Sequence, residues 1–89
     1  MSQTAPDLRE AARLDQAGRC EESERIYEKA LAKGSPGPSL LNNAGNHYLA
    51  CGHPDNARVY FERTLKAVPG HPNATLQLAR LAMAAAEWT

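Results

Sequence analysis

The 89-residue sequence has no excess of charge of either sign and no long hydrophobic run. Its ten basic and ten acidic side chains cancel, and this argues against a non-specific nucleic-acid or anionic-membrane binder, because both usually need a basic face. A run of about 18 apolar residues, the usual minimum for a membrane-spanning helix, is absent. Met1 to Pro6 do not have the basic-then-apolar pattern of a signal peptide. We therefore expect a cytoplasmic domain without a nucleic-acid or membrane partner.

Cysteine is scarce, and the groupings typical of catalytic or metal sites are missing. Cys20 and Cys51 match no zinc or thioredoxin spacing, and a disulfide-stabilised scaffold would be expected to have two or more bridges. His47 and Cys51 share a helical face with His53 close behind, but no fourth metal ligand is apparent nearby. The alternative is that Cys51 is a small apolar filler against a turn. Because no nucleophile–base pair and no Gly-rich phosphate loop stands out either, we predict no catalytic residue, no metal and no cofactor.

What the sequence does contain is an internal repeat of 34 residues. A shift of that length aligns residues 4–37 with residues 38–71, so that Gly18 falls on Gly52 and Tyr27 on Phe61. A further step begins a partial third repeat or capping helix at residues 72–89. A period of 20–50 residues is typical of solenoids, and we therefore expect one domain of about two and a half repeats.

Each repeat has the signals of a helical hairpin. Pro38 and Pro72 suit the first turn of a helix, where the missing N–H has no partner to lose. Gly18 and Gly52 suit the left-handed residue that ends the first helix of each hairpin. Small residues recur where two helices must come close, and an aromatic ring recurs between them. The structural repeat positions are Ala11, Gly18, Ser23, Tyr27, Ala30, Gly45, Tyr48, Gly52, Ala57, Phe61 and Pro69.

This arrangement resembles the tetratricopeptide repeat family, most clearly in the second unit, which reads LLNNAGNHYLACGHPDNARVYFERTLKAVPGHP. The first unit departs from the family pattern at Asp7, at Glu10 and at Pro36, the displaced closing proline. The resemblance implies an all-α fold of five helices, in which antiparallel hairpins stack as a right-handed α-solenoid. It also implies a non-catalytic protein-interaction module that binds a peptide or helix of an unidentified partner in its concave groove.

The concave surface of such a solenoid is lined by the first helix of each hairpin. On the predicted face of those helices amides cluster, and amides both donate and accept hydrogen bonds, so they can pair with peptide backbone. We predict peptide binding by Arg9, Asn42, Asn43, Asn46, Asn73, Gln77 and Arg80. The row resembles the asparagine ladder of O-GlcNAc transferases, and the two arginines add a preference for carboxylates. The alternative is that the amides only keep a solvated face soluble.

A better-known subgroup of the family grips the carboxylate terminus of heat-shock chaperone tails with two Lys, two Asn and an Arg. Only Asn43 of that clamp is found here, since its other places hold Leu8, Ala12, Asn73 and Gln77. A doubly charged terminus would have no counter-charge. We therefore do not expect this chain to bind such tails.

Two further interpretations remain open. In the first, the chain is a fragment of a larger enzyme, such as a glycosyltransferase, hydroxylase or sulfotransferase, and forms its substrate-presenting N-terminal adaptor. In the second, the apolar segment LARLAMAAA of the last helix is exposed and drives self-association, because contiguous apolar patches tend to mark contacts. In register, Ala86 falls at the turn glycine and Trp88 at the aromatic position that often follows it.

Overall fold

The computed structural model describes residues 8–86, and over that range the chain forms five α-helices and no strand. The helices are α1 (Leu8–Gln16), α2 (Cys20–Leu31), α3 (Pro38–Ala50), α4 (Pro54–Ala67) and α5 (Pro72–Ala86). In sequence order, α1 packs on α2, α3 on α4 and α4 on α5, while α3 also contacts α1 and α2. The prediction of an all-α stack of five helices is confirmed. Asp7 and Trp88, which the repeat alignment used, lie outside the described residues.

None of these five helices has both the length and the apolar character needed to cross a bilayer.

The helix boundaries follow from proline and glycine. Pro38, Pro54 and Pro72 are the first residues of α3, α4 and α5, where a fixed φ favours the helix and the missing N–H is not needed. Gly18 and Gly52 have φ of 79° and 82°, which is the left-handed region that favours glycine. In both turns, the N–H of the residue after the glycine donates to the C=O five residues before that residue, at 2.8 Å. This is the Schellman closure of a helix, and its recurrence 34 residues later makes the two hairpins alike.

The core is thin and depends on close approach between helices. One cluster centres on Tyr27, with Ala11 and Ala44 beside it, and the other on Phe61, with Tyr48, Ala57 and Ala74. An ideal Cβ on Gly45 would lie only 2.6 Å from Cε1 of Phe61. The ring therefore occupies the space that any larger residue would need, and α3 and α4 are held together at this point.

The other structural repeat positions are buried to different degrees. Ser23 is fully buried, Ala30 is half-buried, and Pro69 is exposed beyond the end of α4. The small side chain of Ser23 thus lies at a contact between helices, whereas the role of Pro69 is limited to the end of α4.

The expectation for the cysteines was wrong, because Cys20 and Cys51 form a disulfide. Their Cα atoms are 6.0 Å apart and their sequence separation is 31 residues. Stacking one hairpin on the next places equivalent turns side by side, so that the start of α2 lies beside the end of α3. A bridge between repeats has no spacing signature of its own, and Cys51 is therefore not merely an apolar filler.

Candidate functional site

A cavity of about 410 Å³ lies between α1 and α3. Its floor and sides include the aromatic ring of Tyr27 and short apolar side chains from both helices. The polar residues that line it are Arg9, Asp15, Gln16, Asn43, Asn46 and His47. Three of these, Arg9, Asn43 and Asn46, are residues that the sequence assigns to a peptide-binding face. The structure adds Asp15, Gln16 and His47 to them.

The remaining predicted amides join α3 to α5. The Nδ2 group of Asn73 donates to Oδ1 of Asn42 at 2.8 Å and to Oδ1 of Asn46 at 3.1 Å. The Nε2 group of Gln77 donates to Oδ1 of Asn73 at 3.4 Å. Asn42 and Asn73 therefore bind each other and build the wall between α3 and α5. Asn46 belongs both to this chain of amides and to the cavity, so the two parts of the surface are continuous.

Asn43 differs from its neighbours in having an unused amide. It is half-buried at the cavity, and among residues 8–86 no side-chain hydrogen bond engages it. Both its donors and its acceptor are thus open to an occupant of the cavity. Arg80 is exposed on α5, one turn beyond Gln77, and it lies outside the cavity.

A buried polar cluster that the sequence pattern does not reveal adjoins the cavity, and its members Asp15 and His47 line it. The side chains of His47 and Asp15 are 1% and 9% exposed, and His47 Nδ1 lies 2.9 Å from Oδ1 and 3.0 Å from Oδ2 of Asp15. Ser23 Oγ lies 3.1 Å from the same nitrogen and also donates to Asp15. Since a carboxylate only accepts, His47 Nδ1–H donates to Asp15. The three residues come from different helices, so no local motif announces them.

The cluster combines serine, histidine and aspartate without the geometry of a catalytic triad. In a triad the hydroxyl and the carboxylate contact opposite nitrogens of the imidazole. Here Ser23 and Asp15 both contact Nδ1 of His47, and Ser23 is fully buried. The arrangement satisfies polar groups at the contact between hairpins, and it does not activate the Ser23 hydroxyl.

Two tyrosines border this cluster and keep their protons. Tyr27 stacks on His47 with ring centroids 4.8 Å apart, and burial, followed by the nearby charge of Asp15, raises its pKa to about 12. Burial and then the charge of Glu24 raise the pKa of Tyr48 to about 12 as well, and its hydroxyl donates to Glu24 at 3.2 Å. Both phenols therefore remain neutral hydrogen-bond donors at physiological pH.

The Cys20–Cys51 disulfide lies against this cluster. Cys51 Sγ lies 3.4 Å from Asp15 Oδ1 and 3.8 Å from His47 Nδ1, and Cys20 is bonded to it. Asp15 therefore joins His47 and Cys51 as a potential metal ligand, and the ligand atoms of these three residues all lie within 4.8 Å of one another. His53, which the sequence grouped with His47 and Cys51, is exposed at the start of α4 and is not among the clustered ligand atoms of the described residues.

Comparison with known proteins gives one match. Residues 38–81 match the family model described as Tetratricopeptide repeat, and these residues cover α3, α4 and most of α5. No curated protein and no solved structure matches the chain significantly. The match contains the hairpin in which Gly45 meets Phe61.

Proposed function

We propose, since this chain belongs to the tetratricopeptide repeat family, that it binds an extended peptide segment of a partner protein in the groove along α1, α3 and α5. Repeats of this family are in general protein-interaction modules rather than catalysts. The observation that carries the proposal is the cavity between α1 and α3, with the amide of Asn43 open to it. An extended peptide has unpaired backbone groups of both kinds, and one amide side chain can serve both.

The charges of the groove indicate what the peptide contains. Arg9 lines the cavity, and Arg80 is exposed further along on α5. Guanidinium groups favour carboxylates in paired geometry, so the preferred peptide has acidic side chains that reach these two positions. Asp15 on the cavity floor disfavours a carboxylate directly above it. We therefore propose a peptide with separated acidic residues rather than an acidic run.

Replacing Asn43 with Ala is expected to weaken peptide binding by about ten-fold. The lost hydrogen bonds are worth about 0.5–1.5 kcal/mol each, and 1.4 kcal/mol corresponds to a factor of ten. Peptides are first selected from an array of random extended sequences with the unmodified chain. Dissociation constants of the selected peptides are then measured by fluorescence anisotropy, and thermal melting checks that the variant still folds.

The matched control is Asn56→Ala, because Asn56 is an exposed amide on α4, outside the groove. It is expected to leave both affinity and melting temperature unchanged. Equal affinities for Asn43→Ala and the unmodified chain would remove the cavity from the binding surface. A loss of affinity in Asn56→Ala would place the peptide on the outer helices instead.

A second candidate function is self-assembly through α5. Leu76 and Met83 are 47% and 67% exposed, and they lie two helical turns apart, which puts them on one face. Light scattering across concentration is expected to show a rising average mass that Met83→Gln suppresses. Val59→Gln is the control, because Val59 is 51% exposed on α4. A constant monomer mass at high concentration would rule this assembly out.

We propose the cytoplasm as the compartment of this module, on the composition alone. Thiols are kept reduced in the cytosol, whereas disulfides persist in oxidising compartments. In the proposed compartment, Cys20 and Cys51 are therefore present as thiols for much of the time.

A further inference from the structure

We propose that the reduced chain binds one Zn²⁺ ion between Cys20, Cys51, His47 and Asp15, at a site that the Cys20–Cys51 disulfide closes. The ligands come from three helices, because Asp15 lies near the end of α1, Cys20 begins α2, and His47 and Cys51 lie at the end of α3. The bound metal would thus connect the two hairpins at the place where the disulfide connects them.

The ligand atoms of Asp15, His47 and Cys51 have spacings close to those around a tetrahedral ion. Zinc lies about 2.0–2.3 Å from its ligands, which places the ligand atoms of a tetrahedron about 3.3–3.8 Å from one another. Cys51 Sγ is 3.4 Å from Asp15 Oδ1 and 3.8 Å from His47 Nδ1, and these are already tetrahedron edges. The separation of 2.9 Å between His47 Nδ1 and Asp15 Oδ1 has to widen by only a few tenths of an ångström. Among the described residues, Cys20 is not part of the group whose ligand atoms all lie within 4.8 Å of one another. After reduction its side chain therefore has to turn toward Asp15 and His47 as its sulfur parts from that of Cys51.

The surroundings hold these ligands in position. His47 is clamped by stacking on Tyr27, and the Ser23 hydroxyl donates to the Asp15 carboxylate. Hydrogen bonds of this kind to metal-binding carboxylates are typical of metal sites. When Nδ1 of His47 binds the metal, its proton is lost from that nitrogen, and the neutral ring carries its proton on Nε2.

Conversion of the disulfide-bonded chain to the zinc-bound chain needs a reductant, and a dithiol supplies the electrons. The dithiol transfers two electrons and two protons to the Cys20–Cys51 bond and becomes a disulfide itself, leaving two thiols. Zn²⁺ then displaces a proton from each thiol to form two Zn–S bonds. Cys20 and Cys51 are both half-buried and not sealed in the core, so an attacking thiolate has access to them.

The donor set favours zinc over other common ions. Two thiolates exclude Mg²⁺ and Ca²⁺, which prefer oxygen ligands, while thiolate with imidazole suits zinc. The site is also linked to the groove, because Asp15 and His47 line its floor. With zinc bound, the two thiolates and the Asp15 carboxylate outweigh the charge of the ion, so the site keeps one net negative charge beside the groove.

The test uses the whole chain, reduced with a dithiol and desalted without oxygen. Co²⁺ is titrated in as a spectroscopic substitute for Zn²⁺. We expect the visible bands of a tetrahedral ion, a thiolate-to-cobalt charge-transfer band, one ion per chain and displacement of the cobalt by one equivalent of Zn²⁺. Zinc should also protect both thiols from a thiol-modifying reagent, and the oxidised chain should give none of these signals. Freely reactive thiols in the presence of zinc, or a cobalt spectrum without thiolate charge transfer, would overturn the proposal.

Variants assign the ligands. Cys20→Ser and Asp15→Asn are expected to weaken cobalt binding by at least ten-fold. The matched control is His53→Ala, because His53 lies two residues from Cys51 but is exposed at the start of α4. This variant should bind cobalt with unchanged affinity. A loss in His53→Ala equal to that in Asp15→Asn would contradict the proposed ligand set. Should Asp15→Asn fail to fold, the spectrum and thiol protection of the unmodified chain still decide whether the site exists.

Discussion

Replacing Gly45 with Ala is expected to lower the free energy of unfolding by about 1–3 kcal/mol, the typical cost of overpacking a core. The added Cβ would lie 2.6, 2.7 and 2.8 Å from three carbon atoms of the Phe61 ring. Phe61 has no exposed surface, so the ring cannot swing aside without displacing its neighbours. For a domain of this size, each kcal/mol lowers the melting temperature by about 4–8 °C. Circular dichroism melts and urea titrations would measure the loss.

The sign of this effect separates packing from helix propensity. Gly45 lies inside α3, and in an exposed helix the same change to Ala would stabilise by about 1 kcal/mol. The control is a double-mutant cycle with Phe61→Leu, which removes the ring. With Leu at position 61 the alanine at position 45 should cost much less, giving a coupling energy of about 0.5–3 kcal/mol. A Gly45→Ala variant that melts at or above the temperature of the unmodified chain would refute the helix contact and the repeat register that predicted it.

The parts of the fold that depend on local rules could be predicted from the sequence. Pro38 and Pro72 begin helices, and Gly18 and Gly52 end them, because each residue fixes or permits one backbone conformation wherever it occurs. The period then carries those boundaries from one hairpin to the next. The small residue at Gly45 opposite the ring of Phe61 follows from the same alignment.

The contacts between one hairpin and the next could not be predicted in this way. A period states which positions are equivalent, but not which side chains meet when two units stack. His47 and Cys51 were placed on one face correctly, because they are four residues apart on a helix. Asp15 and Cys20 reach them from the other hairpin, 32 and 31 residues away from their partners. The sideways offset between hairpins determines those pairings, and no single residue type encodes it.

The predicted peptide-binding residues show the same limit. Helical spacing gives the face on which a residue lies, whereas the packing of helices sets which side chains meet. The amide row was predicted from helical spacing as a set of separate peptide contacts. Whether Asn73 reaches Asn42 at 2.8 Å depends on the distance between α3 and α5, which the spacing does not give. The structure therefore divides one predicted role into two. Asn42 and Asn73 shape the wall, whereas Asn43 remains open to an occupant.

Reduction of the disulfide without metal is expected to lower the free energy of unfolding by about 3–4 kcal/mol. Cys20 and Cys51 close a loop of 31 residues, and the chain-entropy relation for a loop of that length gives this value. The loss is large for this chain, because an 89-residue domain has a total stability of roughly 4–13 kcal/mol. Urea titrations of oxidised and reduced chain, both with a chelator present, would measure the difference.

The source of this stabilisation can be checked, because the disulfide restricts the unfolded chain. The oxidised chain should expose less surface on unfolding, so its urea m-value should be smaller than that of the reduced chain. Cys20→Ser is the control, because it removes the bridge without a reductant and should match the reduced chain within about 0.5 kcal/mol. If the unmodified chain had the same midpoint before and after reduction, the two cysteines would not be linked in solution. If reduction shifted the midpoint but left Cys20→Ser as stable as the oxidised chain, the stabilisation would not come from closing the loop.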